Sequence, residues 1–228
     1  MCSSDLLLIL PSWYPSERAP MAGRFVHDQA VALRVARPEL QLAVLGWGHL
    51  DGSLSLRDAG HSLAALAWRL RAGQGARWED GEVPRAWAPA LSWTLNWRDG
   101  HLEGQYRACR QAFLLARERW GGVDLLHAHV SLPAGVIARR LSREFGLPYV
   151  LTEHMSPFPF DALRRPGGAL HPALAPVFAD AADVLAVSPS LAQAVRAEGL
   201  RCDRVLPNVV DERRFVPAPP PQAPWTLL

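Results

Sequence analysis

Three histidines and a glutamate close two short apolar runs near the middle of the chain. His127 and His129 end the first run, and Glu153 and His154 end the second. Imidazole and carboxylate groups can exchange protons or hydrogen-bond a hydroxyl, and imidazole can also ligate zinc. Which of these roles is open depends on whether the fold brings the four side chains together.

The sequence between the two runs predicts a βαβ unit. Pro133 lies just inside the start of a helical stretch and Gly146 just past its end, the asymmetry typical of helix termini. Parallel strands joined by a crossover helix finish at the same edge of the sheet, and open α/β sheets bind ligands there. We therefore expect the three histidines and the glutamate on one rim, with His154 the best placed for chemistry.

Other apolar runs and helical patterns predict a doubly wound, Rossmann-like α/β domain with a mainly parallel sheet. Strands are expected at residues 5–10, 40–45, 123–129, 149–152, 184–187 and 203–206, and helices at 23–37, 102–120, 133–145, 172–182 and 191–198. The chain contains no Gly-x-Gly-x-x-Gly, which argues against a bound nicotinamide cofactor.

Residues 49–100 show the least regular pattern. They fit only a short helix near 63–70 and an edge strand near 82–88, and five of the nine tryptophans lie between residues 60 and 100. We interpret 49–100 as an irregular, tryptophan-rich insert whose rings pack locally. The alternative is an exposed aromatic platform for the face of a sugar or for a membrane surface.

The composition argues against several classes of protein. The chain has 228 residues, of which 49% are hydrophobic, and its formal net charge is only +2, so no strong field for nucleic acid is expected. No apolar run approaches the roughly 20 residues of a membrane span. The three cysteines lie far apart and form no CxxC, so we expect reduced thiols in a cytoplasmic protein.

The end of the sequence differs in composition from the rest. Five prolines between residues 217 and 224 predict a stiff linker, and the strand-like run Trp225-Thr226-Leu227-Leu228 follows it. We therefore expect a domain at 1–216, followed at 217–228 by a linker and the start of a C-terminal domain. The alternative is a disordered tail.

Several short motifs follow the expected strand ends in a fixed order. They are Trp-Tyr-Pro at 13–15, Pro-x-x-Gly-x-Phe-Val-x-x-Gln at 20–29, His-Ala-His at 127–129, Leu-Pro-Ala-Gly at 132–135, Thr-Glu-His at 152–154, Ala-Val-Ser-Pro-Ser at 186–190, and Pro-Asn-Val-Val-Asp at 207–211 with Arg214-Phe215. With these motifs the chain resembles the N-terminal, acceptor-side half of a GT-B glycosyltransferase of the retaining family 4.

The resemblance implies two facing Rossmann-like domains, of which this one mainly holds the acceptor. It implies transfer of a hexosyl group from a UDP- or GDP-linked sugar to a glycan or lipid-linked acceptor with retention of configuration, in bacterial polysaccharide biosynthesis. No cofactor and no metal are implied. The glutamate pair and the diphosphate-binding residues of the family lie in its C-terminal half, so we expect residues 1–228 alone to be inactive. Association with the inner face of the membrane is a further expectation.

The resemblance also assigns roles to individual residues. His154 corresponds to a catalytic histidine that touches the transferred sugar, and Gly23 and Arg24 lie in the loop that approaches the donor diphosphate. The family often has two adjacent glycines where this chain reads Ala22-Gly23. From their positions at strand ends, His129, Glu153, Ser188 and Asn208 are the predicted acceptor contacts. Ser188 and Asn208 could equally cap the helices that follow. Strand alternation would turn Glu153 away from the face of its neighbour, where it could instead orient a partner.

Two other classes of function stay open at this stage. One is a non-catalytic Rossmann-like module that binds a glycan or a protein through the tryptophan-rich segment. The other is a metal-dependent hydrolase in which His127, His129 and His154 would hold zinc. A serine hydrolase is less consistent with the sequence, because Gly-x-Ser-x-Gly is absent.

Overall fold

The computed structural model describes residues 5–93, 98–213 and 215–216, and eight strands within them form one sheet. The strands are β1 (Leu6–Pro11), β2 (Gln41–Gly46), β3 (Arg77–Glu79), β4 (Arg85–Trp87), β5 (Leu125–His129), β6 (Tyr149–Glu153), β7 (Asp183–Ala186) and β8 (Arg204–Val205). Their order across the sheet is β3-β4-β2-β1-β5-β6-β7-β8, and every pair is parallel except β3 with β4. The predicted doubly wound, mainly parallel α/β fold is thus confirmed.

Six α-helices lie within the described residues. They are α1 (Arg24–Ala36), α2 (Ala59–Arg71), α3 (Leu102–Trp120), α4 (Val136–Phe145), α5 (Leu174–Asp180) and α6 (Pro189–Ala197). No helix among the described residues is long and apolar enough to cross a membrane.

The central strand β1 explains how the sheet is buried on both sides. All six of its residues are buried, as its unbroken apolar run requires. Leu8 belongs to the larger core, which includes residues of α3 to α6, whereas Leu7 and Ile9 pack with Val26 and Ala30 of α1. Successive side chains of a strand point to opposite faces, so one short run supplies both cores.

The segment 49–100 is far more regular than the sequence predicts. It contains α2, β3 and β4, and β4 lies inside the sheet between β2 and β3 instead of at its edge. The predicted helix near 63–70 lies within α2, and the predicted strand near 82–88 contains β4, so the description as an irregular insert is wrong where α2, β3 and β4 lie. Pairing with β2 buries Ala86 and Trp87 and stabilises a strand that is only three residues long.

The tryptophans of this segment pack locally, as expected. Trp68 stacks on Trp87 with ring centroids 5.9 Å apart, and Trp78 meets Trp120 edge-on at 4.9 Å. Trp93 stacks on His101 at 4.6 Å. Trp97 and the proline-rich stretch 217–228 lie outside the described residues, so the linker stays a prediction.

The helix predicted to begin at Pro133 begins three residues later. Residues Ser131–Gly135 form a single π turn, and α4 follows from Val136. Gly135 is needed in this turn because a Cβ there would lie 2.7 Å from Cγ1 of Val177 and 3.3 Å from Cδ1 of Leu151. The absence of a side chain lets the turn pack directly against α5 and β6.

Candidate functional site

The ends of β1 and β5 form the centre of the candidate site. The chain leaves β1 first towards β2 and later returns on the other side as β5, which makes this the switch point where open α/β sheets leave a crevice. The backbone N–H of Ser12 donates to the carbonyl of His129 at 3.1 Å, and Ser12 Oγ accepts from the N–H of Ala134 at 3.2 Å. The end of β1 is thereby tied to β5 and to the π turn.

Three histidines form a row that runs outward along β5 and β6 to this rim. His127 Nε2 lies 2.8 Å from Thr152 Oγ1, the rings of His127 and His129 have centroids 4.2 Å apart, and His129 Nδ1 lies 2.9 Å from His154 Nε2. His129 is 1% exposed, so its predicted contact with an acceptor is blocked by burial, and its ring meets the rim through His154. The half-buried His154 ring lies 4.4 Å from the ring of Phe25.

Burial keeps this row uncharged. It lowers the pKa of His127 to about 4 and, with the nearby His127, the pKa of His154 to about 3. Burial and the two flanking imidazoles also hold the pKa of His129 well below its usual value. At neutral pH each ring carries one N–H, so one of the pair His129 and His154 donates the hydrogen bond and the other accepts it.

The remaining ring nitrogen of His154 has an open hydrogen-bonding valence. Nδ1 is buried and has no hydrogen-bond partner among the described residues. If His129 donates to Nε2, then Nδ1 of His154 carries the proton and is a donor; in the opposite tautomer it is an acceptor. A buried polar atom without a partner costs about 1–3 kcal/mol, so this atom is a natural contact for a ligand.

Glu153 is the buried partner of the backbone around the site. Its Oε1 accepts the N–H groups of His154 at 2.9 Å and Met155 at 3.0 Å, and its Oε2 accepts that of Ser131 at 3.0 Å. Burial raises the pKa of Glu153, although the three donors favour the carboxylate. The predicted contact with an acceptor hydroxyl needs correction, because the side chain is 0% exposed and instead positions the two strand ends.

The turn that Glu153 holds is strained. Val130 has φ 76° and ψ 136°, a conformation that β-branched residues rarely adopt. Its N–H donates to the carbonyl of Thr152 at 2.8 Å, and its carbonyl accepts from Gly135 at 3.0 Å. Bonds on both sides of Val130 therefore fix the turn that leads from His129 into α4.

Gly23 opens α1 at the same edge of the sheet. It has φ 62°, and a Cβ there would lie 2.0 Å from the carbonyl oxygen of Trp13, so only glycine fits. Phe25, two residues later, contacts the His154 ring, which places Gly23 and His154 at one rim. The Arg24 guanidinium pairs with Asp28 on the same helix at 2.8 Å. The roles of Gly23 and Arg24 at a diphosphate stay predictions.

Ser188 and Asn208 lie farther along the rim. Ser188 follows β7 and caps α6, because its Oγ accepts the N–H of Leu191 at 3.2 Å. Asn208 is exposed after β8. Both are at the carboxyl edge, as expected, but β7 and β8 are two and three strands away from β5. Their acceptor contacts stay predictions.

The histidine row does not have the arrangement of a zinc site. Among residues 5–93, 98–213 and 215–216, no group of three histidine, cysteine or acidic side chains is disposed to hold a metal ion. His129 and His154 each turn one nitrogen towards the other, so a metal would first have to break that hydrogen bond.

Sequence reasoning missed a cavity on the other side of the rim. It measures about 940 Å³ and lies among the β1–α1 loop, α2 and the ends of β2 and β4, with Tyr14, Trp68, Arg77 and Arg85 in its wall. The cluster of tryptophans in the sequence hinted at an aromatic surface in this region. Nothing in the sequence indicated that Arg77 and Arg85, among the 24 basic residues, would line a cavity.

Glu153→Gln is predicted to destabilise the protein. A glutamine presents an NH₂ group to backbone N–H donors, so at least one of the three hydrogen bonds is lost and we expect a cost of about 1–3 kcal/mol. Urea unfolding followed by circular dichroism measures the change. Glu118→Gln, on the exposed surface of α3, is the matched control and should stay within about 0.5 kcal/mol of the wild type. Equal stability of both variants would contradict the positioning role.

Stability is predicted to fall as the pH drops from 6.5 to about 4. His127 has a folded-state pKa of about 4, below its ordinary 6.5, so the unfolded chain binds more protons in this window. The raised pKa of Glu153 acts in the opposite direction, since a folded state that binds its proton more tightly gains stability as pH falls.

Urea unfolding at several pH values tests this for wild type and His127→Gln, whose slope in the window should be shallower. The NMR signals of the His127 ring provide the direct control, since they should keep their neutral-form shifts at pH 5. Titration of those signals near pH 6.5 would show that the ring is not held neutral.

The comparison with protein families agrees with this geometry. Residues 53–209 match the model of the glycosyl transferase 4-like domain. No curated protein matches the chain. The family match covers more than half of the 228 residues, includes the histidine row and Glu153, and confirms the resemblance drawn from the short motifs. The chain therefore belongs to the glycosyl transferase 4-like domain family.

Proposed function

We propose that this domain is the acceptor-side half of a retaining glycosyltransferase. The enzyme would transfer a hexosyl group from a UDP- or GDP-linked sugar to a glycan or lipid-linked acceptor. A second domain that faces the same rim would hold the donor. Membership of a glycosyl transferase family supports the reaction class. The proposed site is supported chiefly by the buried Nδ1 of His154, which has no hydrogen-bond partner among the described residues and lies near the start of α1, where Gly23 is the N-cap.

The proposed reaction needs positioning more than a charged catalyst from this domain. The bond between the anomeric carbon and the leaving diphosphate oxygen breaks, the acceptor oxygen bonds to that carbon on the same face, and the acceptor proton passes to the diphosphate. The positive end of the α1 dipole would favour the negative charge of the diphosphate, although the N–H groups of Arg24, Val26 and His27 already donate to backbone carbonyls of the preceding turn. Neutral His154 would contribute one hydrogen bond at Nδ1 to an oxygen of the transferred sugar.

Access to Nδ1 would involve Phe25. The atom is buried in this structure, and the ring of Phe25 lies 4.4 Å from the His154 ring. A small displacement of the Phe25 ring, which belongs to the first turn of α1, would open the nitrogen to a ligand that also lies near the positive end of the α1 dipole. Sugar and diphosphate would then be recognised together.

His154→Ala is predicted to lower kcat about 100-fold or more, because the hydrogen bond to the transferred sugar is lost. The assay uses the protein as its gene encodes it, with a panel of UDP- and GDP-linked hexoses. His61→Ala on α2 is the control and should keep activity within about twofold of the wild type, since His61 contacts Ser53 away from the row. Wild-type turnover by His154→Ala would refute the proposed site, and lack of transfer from every donor would refute the proposed function.

We further propose that the protein works in the cytoplasm against the inner face of the membrane. The packed tryptophans do not support this, but α2 has an exposed leucine stripe: Leu63 and Leu70 are 67% and 83% exposed, with Leu66 between them. Arg57, just before α2, and Arg71, in its last turn, are exposed as well. Leucines flanked by arginines match a surface of anionic lipids.

The double variant Leu63→Ser, Leu70→Ser is predicted to bind anionic vesicles at least about tenfold more weakly than the wild type, since each leucine would bury apolar surface in the interface. Co-sedimentation with phosphatidylglycerol vesicles measures it, and phosphatidylcholine vesicles test the part played by charge. Leu114→Ser on α3, where the leucine is 37% exposed, is the control and should bind as the wild type does. Equal binding by the double variant would exclude α2 as the contact.

A further inference from the structure

The cavity beside α2 has the size and position of a ligand site. Its volume of about 940 Å³ lies near the upper end of small-molecule pockets. The β1–α1 loop supplies Tyr14 to its wall, and the same loop ends at Gly23, next to the Phe25 that contacts His154. A molecule in the cavity would therefore lie at the same sheet edge as the histidine row.

The cavity wall holds more positive than negative side chains. Four arginines face three acids, Glu17, Asp51 and Glu79. Glu79 forms an ion pair with Arg85, whose Nε donates to its carboxylate at 3.0 Å. Asp51 accepts a hydrogen bond from Ser16 Oγ at 2.8 Å. Arg71 and Arg77 have no carboxylate partner among the described residues. The excess positive charge of the wall thus comes from Arg71 and Arg77, where α2 ends and β3 begins, together with Arg18, which donates to the backbone carbonyl of Asp51 at 3.2 Å.

Arg77 is held in place yet keeps an unused donor. Its Nη2 donates to the carbonyl of Ala72 at 2.7 Å, and its guanidinium lies 4.0 Å from the ring centroid of Trp87. Its Nε is buried and has no hydrogen-bond partner among the described residues. A guanidinium fixed by stacking, with a free N–H, is preorganised for an anionic oxygen.

Tyr14 supplies a second donor in the same wall. The residue is 7% exposed, and its buried hydroxyl has no hydrogen-bond partner among the described residues. Burial raises the pKa of Tyr14 to about 12, so the group is an O–H donor at neutral pH. Arg85 lies over both rings, 5.9 Å from the centroid of Tyr14 and 5.6 Å from that of Trp87. Tyr14 and Arg77 therefore belong to one cluster.

An indole surface completes the wall. Trp68 stacks on Trp87, and its six-membered ring occupies the space beside Gly48, where a Cβ would lie 2.2 Å from Trp68 Cη2. Gly48 has φ 97°, so both its backbone and this close approach require glycine. Trp68 is only half-buried, and its partly exposed ring suits the C–H face of a sugar.

From this combination we propose that the cavity binds a phosphorylated saccharide as the acceptor. The phosphate would meet Arg71, Arg77 and Tyr14, and the sugar ring would lie against Trp68. A soluble sugar phosphate and a lipid-linked sugar diphosphate share this chemistry. That the phosphorylated saccharide is an acceptor rests on the proposed transferase function. That the cavity binds a phosphorylated saccharide is argued from the cavity residues alone.

Isothermal titration of the purified protein tests the binding. Glucose 1-phosphate should bind, and methyl glucoside and inorganic phosphate should each bind at least about tenfold more weakly, since each lacks one half of the recognised group. Arg71→Gln and Arg77→Gln should weaken glucose 1-phosphate about 10- to 100-fold, the effect of losing one charge-assisted hydrogen bond. Arg69→Gln, on α2 but outside the cavity wall, is the matched control and should bind as the wild type does.

The use of two arginine variants allows a loss of binding to be distinguished from a loss of folding. Arg71 is exposed, so its replacement leaves the fold intact, and a loss in Arg71→Gln reports the ligand contact directly. Glucose linked to a short-chain prenyl diphosphate distinguishes a lipid-linked acceptor from a soluble sugar phosphate. Tighter binding than glucose 1-phosphate indicates a lipid-linked acceptor, and equal binding indicates a soluble one; both support the proposal.

Three outcomes would overturn this inference. They are no binding of any phosphorylated probe at millimolar concentration, equal binding of methyl glucoside, and wild-type binding by both arginine variants. Failure of the proposed function looks different, because glucose 1-phosphate would still bind to wild type and to His154→Ala while no donor was consumed. Conversely, transfer by Arg71→Gln with an unchanged KM for the acceptor would leave the proposed function standing and exclude Arg71 as a contact of the acceptor.

Discussion

The candidate site depends on one buried carboxylate. Glu153 accepts N–H groups from the turn after β5 and from the residues after β6, so it fixes these two strand ends relative to each other. Burying an ionised carboxylate is costly, and charge-assisted hydrogen bonds offset that cost only while all the donors are in place. The same turn contains Val130 at φ 76°, a conformation that costs about 1–3 kcal/mol. Strain and buried charge are thus both concentrated in the short backbone that carries His129 and His154.

The uncharged histidine row complements this arrangement. Three imidazoles within contact of one another could not all be protonated without strong repulsion, and burial already disfavours the first proton. The row is therefore held by the ring contact between His127 and His129 and by the hydrogen bond between His129 and His154, which fixes the His154 ring. A neutral ring offers direction without charge, so the stabilisation of a leaving diphosphate would have to come from helix dipoles and from the facing domain.

The sequence was informative where local pattern and long-range packing agree. The run of strand, helix and strand around 123–154 predicted one rim for the histidines, and the structure brings His129 and His154 to 2.9 Å. For Glu153 the alternation within the strand correctly turned the side chain away from the face of His154, but the predicted acceptor contact was wrong, because local pattern does not reveal that the backbone N–H groups of Ser131, His154 and Met155 meet the carboxylate. Over 49–100 the sequence placed the helix near 63–70 and the strand near 82–88 but missed β3, and it put β4 at an edge, although β4 pairs with β2 on one side and β3 on the other. Such pairing is tertiary, and no local propensity encodes it.

The order of strands separates two kinds of chemistry along one edge. On the β5 and β6 side lies the neutral, buried row with an open valence on His154; on the β2 and β4 side lies a cavity with arginines and indoles. The β1–α1 loop runs between them. At its end Gly23 packs against the backbone carbonyl of Trp13 so closely that no side chain would fit. If the proposed acceptor spanned this loop, its phosphate would lie among the arginines and its reacting oxygen would point towards the histidines. The loop would then be the common wall of both halves of the proposed site, and the close packing at Gly23 explains why the loop has no freedom to move away from the end of β1.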